Sequence, residues 1–422
     1  MRRIAIVGAG QAGLQLALGL RAGRPGEGPG HEVTLYAARR PEVIRTGRVL
    51  STQMMFEPAL ALERAAGLHL WEEETPRLRG MRLTAANPPG TAATHFTAMF
   101  DEPARSVDQR VKTARWLELL EERGGRVEYG PVEPERLERI AADHDLTIVA
   151  TGRGPLSEIF AHDERHSPYD RPQRILAAAY VHGMAQPPGA GGPELRINPV
   201  ADCGEFFTMA GTTVGGPCGM LMWEALPGGP LDCWQDDPGP DEVVKRSLEL
   251  LRSHLPWEYE LCAGVEPTDA GAALTGAVTP TVRHPVAQVG AASYVLGMAD
   301  AVVLNDPVAG QGANSAARCA DGYLRAILHH GDRPFDRTWM RRTFAAYWEH
   351  ARHVTAFSNM LLGPPPEHVG RVVAAAAEHP EVAHRYVNGY ADPAGFQGWF
   401  MDADRADAYL TAVTGRTAPG GV

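Results

Sequence analysis

Several features are missing from this chain of 422 residues, and most of the absences narrow what it can do. No uninterrupted apolar run approaches the ~18 residues of a membrane span. No basic stretch is interleaved with aromatics, and the net charge is −11. Nucleic acid and anionic membranes are therefore not expected as partners. The five cysteines (Cys203, Cys218, Cys233, Cys262 and Cys319) are odd in number, and no Cys-x-x-Cys occurs. They read as buried or half-buried free thiols. The 16 histidines show no ligand spacing. Glu349 and His353, at helical separation, read as a surface pair, so no metal is expected. No cleavage pattern follows the two arginines and Ile4-Ala-Ile-Val7, and no internal repeat is visible. The expectation is a soluble, cytoplasmic protein.

The rest is ordinary globular material. With 44% hydrophobic and 22% charged residues, the chain can bury a sizeable core in two or three domains, or in one with an insertion. It opens on an informative stretch, Arg3-Ile-Ala-Ile-Val-Gly-Ala-Gly-Gln-Ala-Gly13. The spacing predicts a buried strand over 3–8, a helix over 11–22 with Leu14, Ala17 and Leu18 on one face, a Gly/Pro-rich connection over 24–30, and a strand over 31–36. That context lends weight to the G-x-G-x-x-G pattern. Gly8 allows the tight turn, Gly10 lets a pyrophosphate approach the backbone, and Gly13 lets helix and sheet pack closely. Gln11 and Ala12 supply amides at the helix start. The acidic residue that usually ends the second strand is missing; Ala37 and Ala38 stand there, followed by Arg39 and Arg40. Either the ribose is held loosely or an arginine meets a 2′-phosphate, and loose holding is favoured.

A second glycine-softened helix start lies at Asp306-Pro-Val-Ala-Gly-Gln-Gly-Ala-Asn314. Gly310 and Gly312 relax the backbone before a helix over 313–328, with Asn314 or Ser315 expected as its N-cap. Helix N-termini present free N–H groups and partial positive charge. Two of them, some 300 residues apart in sequence, suggest one long ligand gripped at both ends, and FAD is the expected ligand. The strand over 145–152, ending at Thr151 and Gly152, returns to the first sheet. Residues 168–257 alternate short apolar pieces with Gly/Pro turns, as an antiparallel sheet does. Of Phe206, Phe207, Met220, Met222 and Trp223 on its strands, about a third should line a pocket and the rest form core. Helices are expected over 53–66, 111–122, 241–254, 337–355, 367–378 and 404–414. The fold class is α/β: a Rossmann-like FAD-binding domain (1–75, 101–167 and 280–330), an inserted antiparallel β-sheet substrate domain (76–100 and 168–279), and a helical C-terminal region (331–422).

Taken in order, these motifs resemble the flavoprotein monooxygenases of the p-hydroxybenzoate hydroxylase fold. Within that group the chain is most similar to the oxygenase component of styrene and indole monooxygenases. The resemblance rests on Ile6-Val-Gly-Ala-Gly10, Ala104-Arg-Ser-Val-Asp-Gln-Arg110, Glu121-Glu-Arg-Gly-Gly125, Ser167-Pro-Tyr-Asp-Arg-Pro-Gln-Arg174 and the 306–314 loop. It implies that Asp300 binds the ribityl hydroxyls and that Pro307, with the glycine loop to Ala313 and Asn314, lies beside the isoalloxazine ring. It implies too that Arg48-Val-Leu-Ser-Thr52 faces flavin and substrate, so that Arg48, Ser51 and Thr52 are pocket candidates; Ser51 stands where the family has asparagine. Arg105 and Arg110 are weighed about evenly between flavin contact and solvating a helix start.

The implied enzyme has two components. A separate NADH:flavin reductase supplies reduced, diffusible FAD, which reacts with O2 through a flavin C4a-peroxide and oxygenates a hydrophobic aromatic alkene or indole-like substrate. A homodimer is compatible with this reading. Two alternatives stay open: a self-sufficient NAD(P)H-dependent aromatic hydroxylase, and a non-catalytic flavin-binding protein.

Overall fold

Two β-sheets face each other across a long cleft in the computed structural model, which describes residues 2–23, 31–51, 53–152 and 154–415. The first sheet has six strands in the order Val286–Val289, Ser293–Gly297, Leu146–Val149, Arg3–Val7, Glu32–Ala37 and Arg126–Tyr129. All neighbours are parallel except the first two, which form an antiparallel edge pair. Arg3–Val7 lies between two partners, and Ile4, Ala5 and Ile6 are fully buried, which is why it reads as an unbroken apolar run. Helices Gln11–Ala22, Gln109–Glu122 and Gly312–Leu328 pack together beside this sheet.

The second sheet has eight strands, antiparallel except where Leu78–Ala86 runs parallel to Glu194–Val200. Side chains alternate across it, because successive residues of a strand point to opposite faces. In the strand Ile175–His182, Ala177, Ala179 and Val181 pack with Val243, Val244 and Leu251 of the helix Pro240–His254. Leu176 and Ala178, on the other face, line the cleft.

Beyond it, the long helix Arg337–Leu362 and the helices Glu367–Glu378, Pro380–Gly389 and Ala403–Thr414 close on an aromatic knot of Phe357, Tyr386, Tyr390, Phe396 and Phe400. Among the described residues no helix is long and apolar enough to cross a membrane. All five cysteines are free, and only Cys233 is not fully buried.

Local expectations fail in three places, one being the helix expected over 337–355, which runs on to Leu362. The helix expected over 53–66 begins only at Glu57. Residues 53–56 are extended instead, because Met55 exchanges backbone hydrogen bonds with Arg105 at 2.8 and 2.9 Å. The helix expected from 313 starts at Gly312 with Gln311 as N-cap, not Asn314 or Ser315. Asn314 is engaged elsewhere: its Oδ1 accepts the Phe56 N–H at 2.9 Å and its Nδ2 donates to Met54 O at 2.9 Å.

Candidate active site

The cleft holds about 970 Å³ and runs from the Gly8–Ala12 turn, past Thr151, Gly152 and Asp300, to Pro307–Ala313. At one end Gly8 has φ +121°, and a Cβ there would lie 2.7 Å from the Ala150 backbone. Gly13 is tighter still, its Cβ position only 2.1 Å from Gly8 O, so this glycine lets helix and strand turn close together. Gly10, by contrast, is exposed and has nothing within 4 Å of its Cβ position, leaving its backbone open to the cleft.

Both helix starts are unsatisfied in the same direction. The first intrahelical bonds run from Leu14 N to Gly10 O and from Ser315 N to Gln311 O, and neither N-cap side chain bonds a helix amide. The amides of residues 11–13 and 312–314 therefore have no intrahelical acceptor. Gln11 Nε2 donates to Ala313 O at 3.1 Å, so the two starts, distant in sequence, are adjacent in space. Gly310 adopts the left-handed conformation (φ +64°) that turns the loop into its helix, again with nothing within 4 Å.

Between the two ends the wall is polar. Among the described residues Gln11 Oε1, Gln53 Nε2, Gln109 Oε1, Thr151 Oγ1 and Asn305 Oδ1 are buried without a hydrogen-bond partner, and all five residues line the cleft. Such groups are costly unless a ligand or ordered water meets them. Gly152 and Asp300 lie side by side, a Cβ on the glycine falling 3.0 Å from Asp300 Cβ; Ala299 has a positive φ of 49° just before it. A dinucleotide with a polyhydroxyl linker fits these residues: two amide cradles for anionic groups and a row of unpaired side-chain acceptors and donors for hydroxyls.

At the Pro307–Gly312 end the walls turn apolar: Leu176, Ala178, Ile197, Phe207, Met209 and Met222 line them. Of the five large strand residues weighed in the sequence, Phe207 and Met222 line the cleft. Phe206 and Trp223 pack in the opposite layer at 4.5 Å, and Met220 is buried core. Tyr390, from the C-terminal helices, completes the lining. Leu176, Ala178, Ile197 and Met209 were missed in the sequence, because residues 175–181 are apolar on both faces of their strand and show no alternation of polar and apolar types.

The remaining expected residues divide. Gly8, Gly10, Gln11, Ala12, Arg48, Ser51, Thr151, Gly152, Asp300, Pro307, Gly310, Gly312 and Ala313 all line the cleft. Thr52 lies outside the described residues. Arg110 is buried, and its donors go to Asp108, Asp269, Gly47 O and Thr213 at 2.8–3.1 Å. Arg105 likewise binds Thr75 O and Glu72. Arg110, Arg105 and Asn314 thus brace the segments around the cleft. Gly13 acts from behind the turn.

Residues 152–260 match the family described as "Styrene monooxygenase A putative substrate binding domain". The chain is 29% identical over 340 residues to styrene monooxygenase StyA of Pseudomonas fluorescens, covering 78% of each, and to a StyA of Pseudomonas sp. to the same extent. Over most of its length the chain is thus similar in sequence to styrene monooxygenases. In fold the chain is similar to the flavin-dependent brominase Bmp2 triple mutant (TM-score 0.64, 13% identity, 98% of this chain and 99% of that one). The matched segment contains the strands that roof the apolar end of the cleft.

Proposed function

We propose that this protein is an FAD-dependent monooxygenase, the oxygenase half of a two-component system. It takes reduced FAD from a separate NADH:flavin reductase and uses O2 to epoxidise or hydroxylate a neutral aromatic alkene or an indole-like compound. The observation that carries this reading is the single cleft, polar along its length and apolar over the Pro307–Gly312 loop.

Reduced FAD, when bound, supplies the electrons that activate dioxygen; the protein supplies binding, orientation and exclusion of water. The amides at Gln11–Gly13 suit the pyrophosphate, and Asp300 suits the ribityl hydroxyls. Free amides at Gly312 and Ala313 would stabilise negative charge on the ring at its pyrimidine end. The apolar roof keeps water and stray acids from the reacting atoms and selects an uncharged aromatic substrate. Ala37 and Ala38, where an acidic ribose ligand usually stands, suit a flavin that enters and leaves each turnover. Only one complete dinucleotide fingerprint is present, which supports delivery of electrons from another protein.

The test supplies enzymatically reduced FAD, labelled dioxygen and styrene or indole. One labelled oxygen atom in the product supports the reading. Product formed at the same rate from NADPH by the purified chain alone, without reductase, would replace it with a self-sufficient hydroxylase.

A further inference from the structure

Beside the Pro307–Gly312 loop, among residues that do not line the cleft, lies a buried group of carboxyls with too few cations. Glu224 is fully buried on the strand Gly216–Ala225, and Asp306 is 2% exposed. Glu205, across from Glu224 on the neighbouring strand, holds Arg174 with two bonds of 2.7 and 2.8 Å. Arg174 gives its remaining nitrogen to Gln173 O and Leu362 O. It is the arginine of the Pro-Gln-Arg motif noted in the sequence, and its place in the fold is to neutralise Glu205.

Glu224 and Asp306 are left without a cation of their own. Among the described residues both Glu224 carboxyl oxygens and Asp306 Oδ2 are buried and meet no N–H or hydroxyl donor, and the two carboxyls lie within hydrogen-bonding reach of each other. Asp306 Oδ1 accepts the Val308 N–H at 3.1 Å and so caps the short turn Pro307–Ala309. Two ionised carboxylates cannot bond each other, and a buried unpaired charge is costly. One proton resolves both problems: it turns a repulsive pair into a short, charge-assisted bond.

We propose that Glu224 keeps a proton, donates it in a hydrogen bond to the Asp306 carboxylate, and through Asp306 fixes the Pro307–Gly312 loop. Glu224 is then a positioning residue for the ring end of the site. Burial, then the charges of Asp306 and Glu205, holds the Glu224 proton well above the usual carboxylate range, and burial lifts Asp306 to about 6. The charged or titratable groups facing the pair are Glu205 and Arg174, with neutral Tyr390 beyond Glu205. A carboxyl with a raised folded-state pKa stabilises the fold fully below its unfolded value. That stabilisation is lost as pH rises toward the folded value. Alkali should therefore loosen the loop, and acid should not.

The assignment of this loop to the flavin ring belongs to the proposed function, so the test reads the loop and the proton separately from flavin. Infrared difference spectra of the flavin-free wild-type protein should show a protonated carboxyl band at neutral pH that Glu224→Gln removes. Hydrogen exchange at Val308–Ala313, corrected for intrinsic rate, should lose protection by up to about tenfold per pH unit as pH rises above about 6 in wild type, until the pair has lost its proton. In Glu224→Gln, whose neutral amide can still donate to Asp306, it should stay flat. Absence of the acid band, or equal pH profiles in both proteins, overturns the proposal; a misfolded variant leaves the wild-type band and profile to decide. Failure of reduced FAD to bind, with band and profile as expected, would sink the flavin reading and leave the proton pair standing.

Discussion

Arg48 clasps Asp237 with both terminal nitrogens, at 2.9 and 3.0 Å, at the rim of the cleft. Thr275 Oγ1 donates to the same carboxylate at 2.8 Å, and Asp237 sits at a positive φ of 47° to receive both. Arg48 and Thr275 line the cleft, so the clasp ties the polar floor to the roof sheet beside the opening. Exposed pairs add little to stability. Asp237→Ala should therefore leave the melting temperature unchanged while reduced FAD or product escapes a few-fold faster, as stopped-flow displacement would read. Arg48, with Thr275, holds the Asp237 carboxyl down to about 2. Its contribution is present above the ordinary carboxylate range and lost only as pH falls toward that value, so escape rates should show no break between about pH 5 and 8.

Glycines at the first turn should separate folding from binding. Gly13→Ala puts a methyl group against Gly8 O and should destabilise the protein by about 1–3 kcal/mol, the usual cost of overpacking. Gly10→Ala meets nothing within 4 Å and should melt with wild type. Its methyl group would stand where the pyrophosphate must approach, so reduced FAD should bind at least about tenfold more weakly. Calorimetry and fluorescence titration of the two variants together check this; equal flavin affinity in Gly10→Ala and wild type would remove the turn from the site.

Size selection should reside in the roof. Ala178 is 2% exposed to solvent yet lines the apolar end. Ala178→Leu adds three carbons there and should cut kcat/KM for an indole more than for styrene. A difference of about tenfold or more follows from the 1–3 kcal/mol that a single methylene commands in such pockets. Parallel loss on both substrates would place the substrate elsewhere.

Much of the first sheet and both helix starts could be read locally, because each depends on residues adjacent in sequence. Gln11–Ala22 and Glu367–Glu378 begin and end where their apolar spacing and flanking residues predict. Residues 53–56 could not be read that way: their extended shape depends on Arg105 and Asn314, far along the chain. Arg110 looked available for phosphate because its principal partner, Asp269, belongs to the other sheet region. The Glu224–Asp306 pair was invisible for the same reason. Burial and charge balance are properties of the assembled layers.

The alternation along residues 175–182 has a consequence for how such an enzyme can change. Positions 176 and 178 line the cleft, whereas 177, 179 and 181 anchor the sheet to its covering helix. A drifting lineage, or an experimenter building a library, can therefore vary every second residue to explore new reactants while the intervening ones hold the architecture constant.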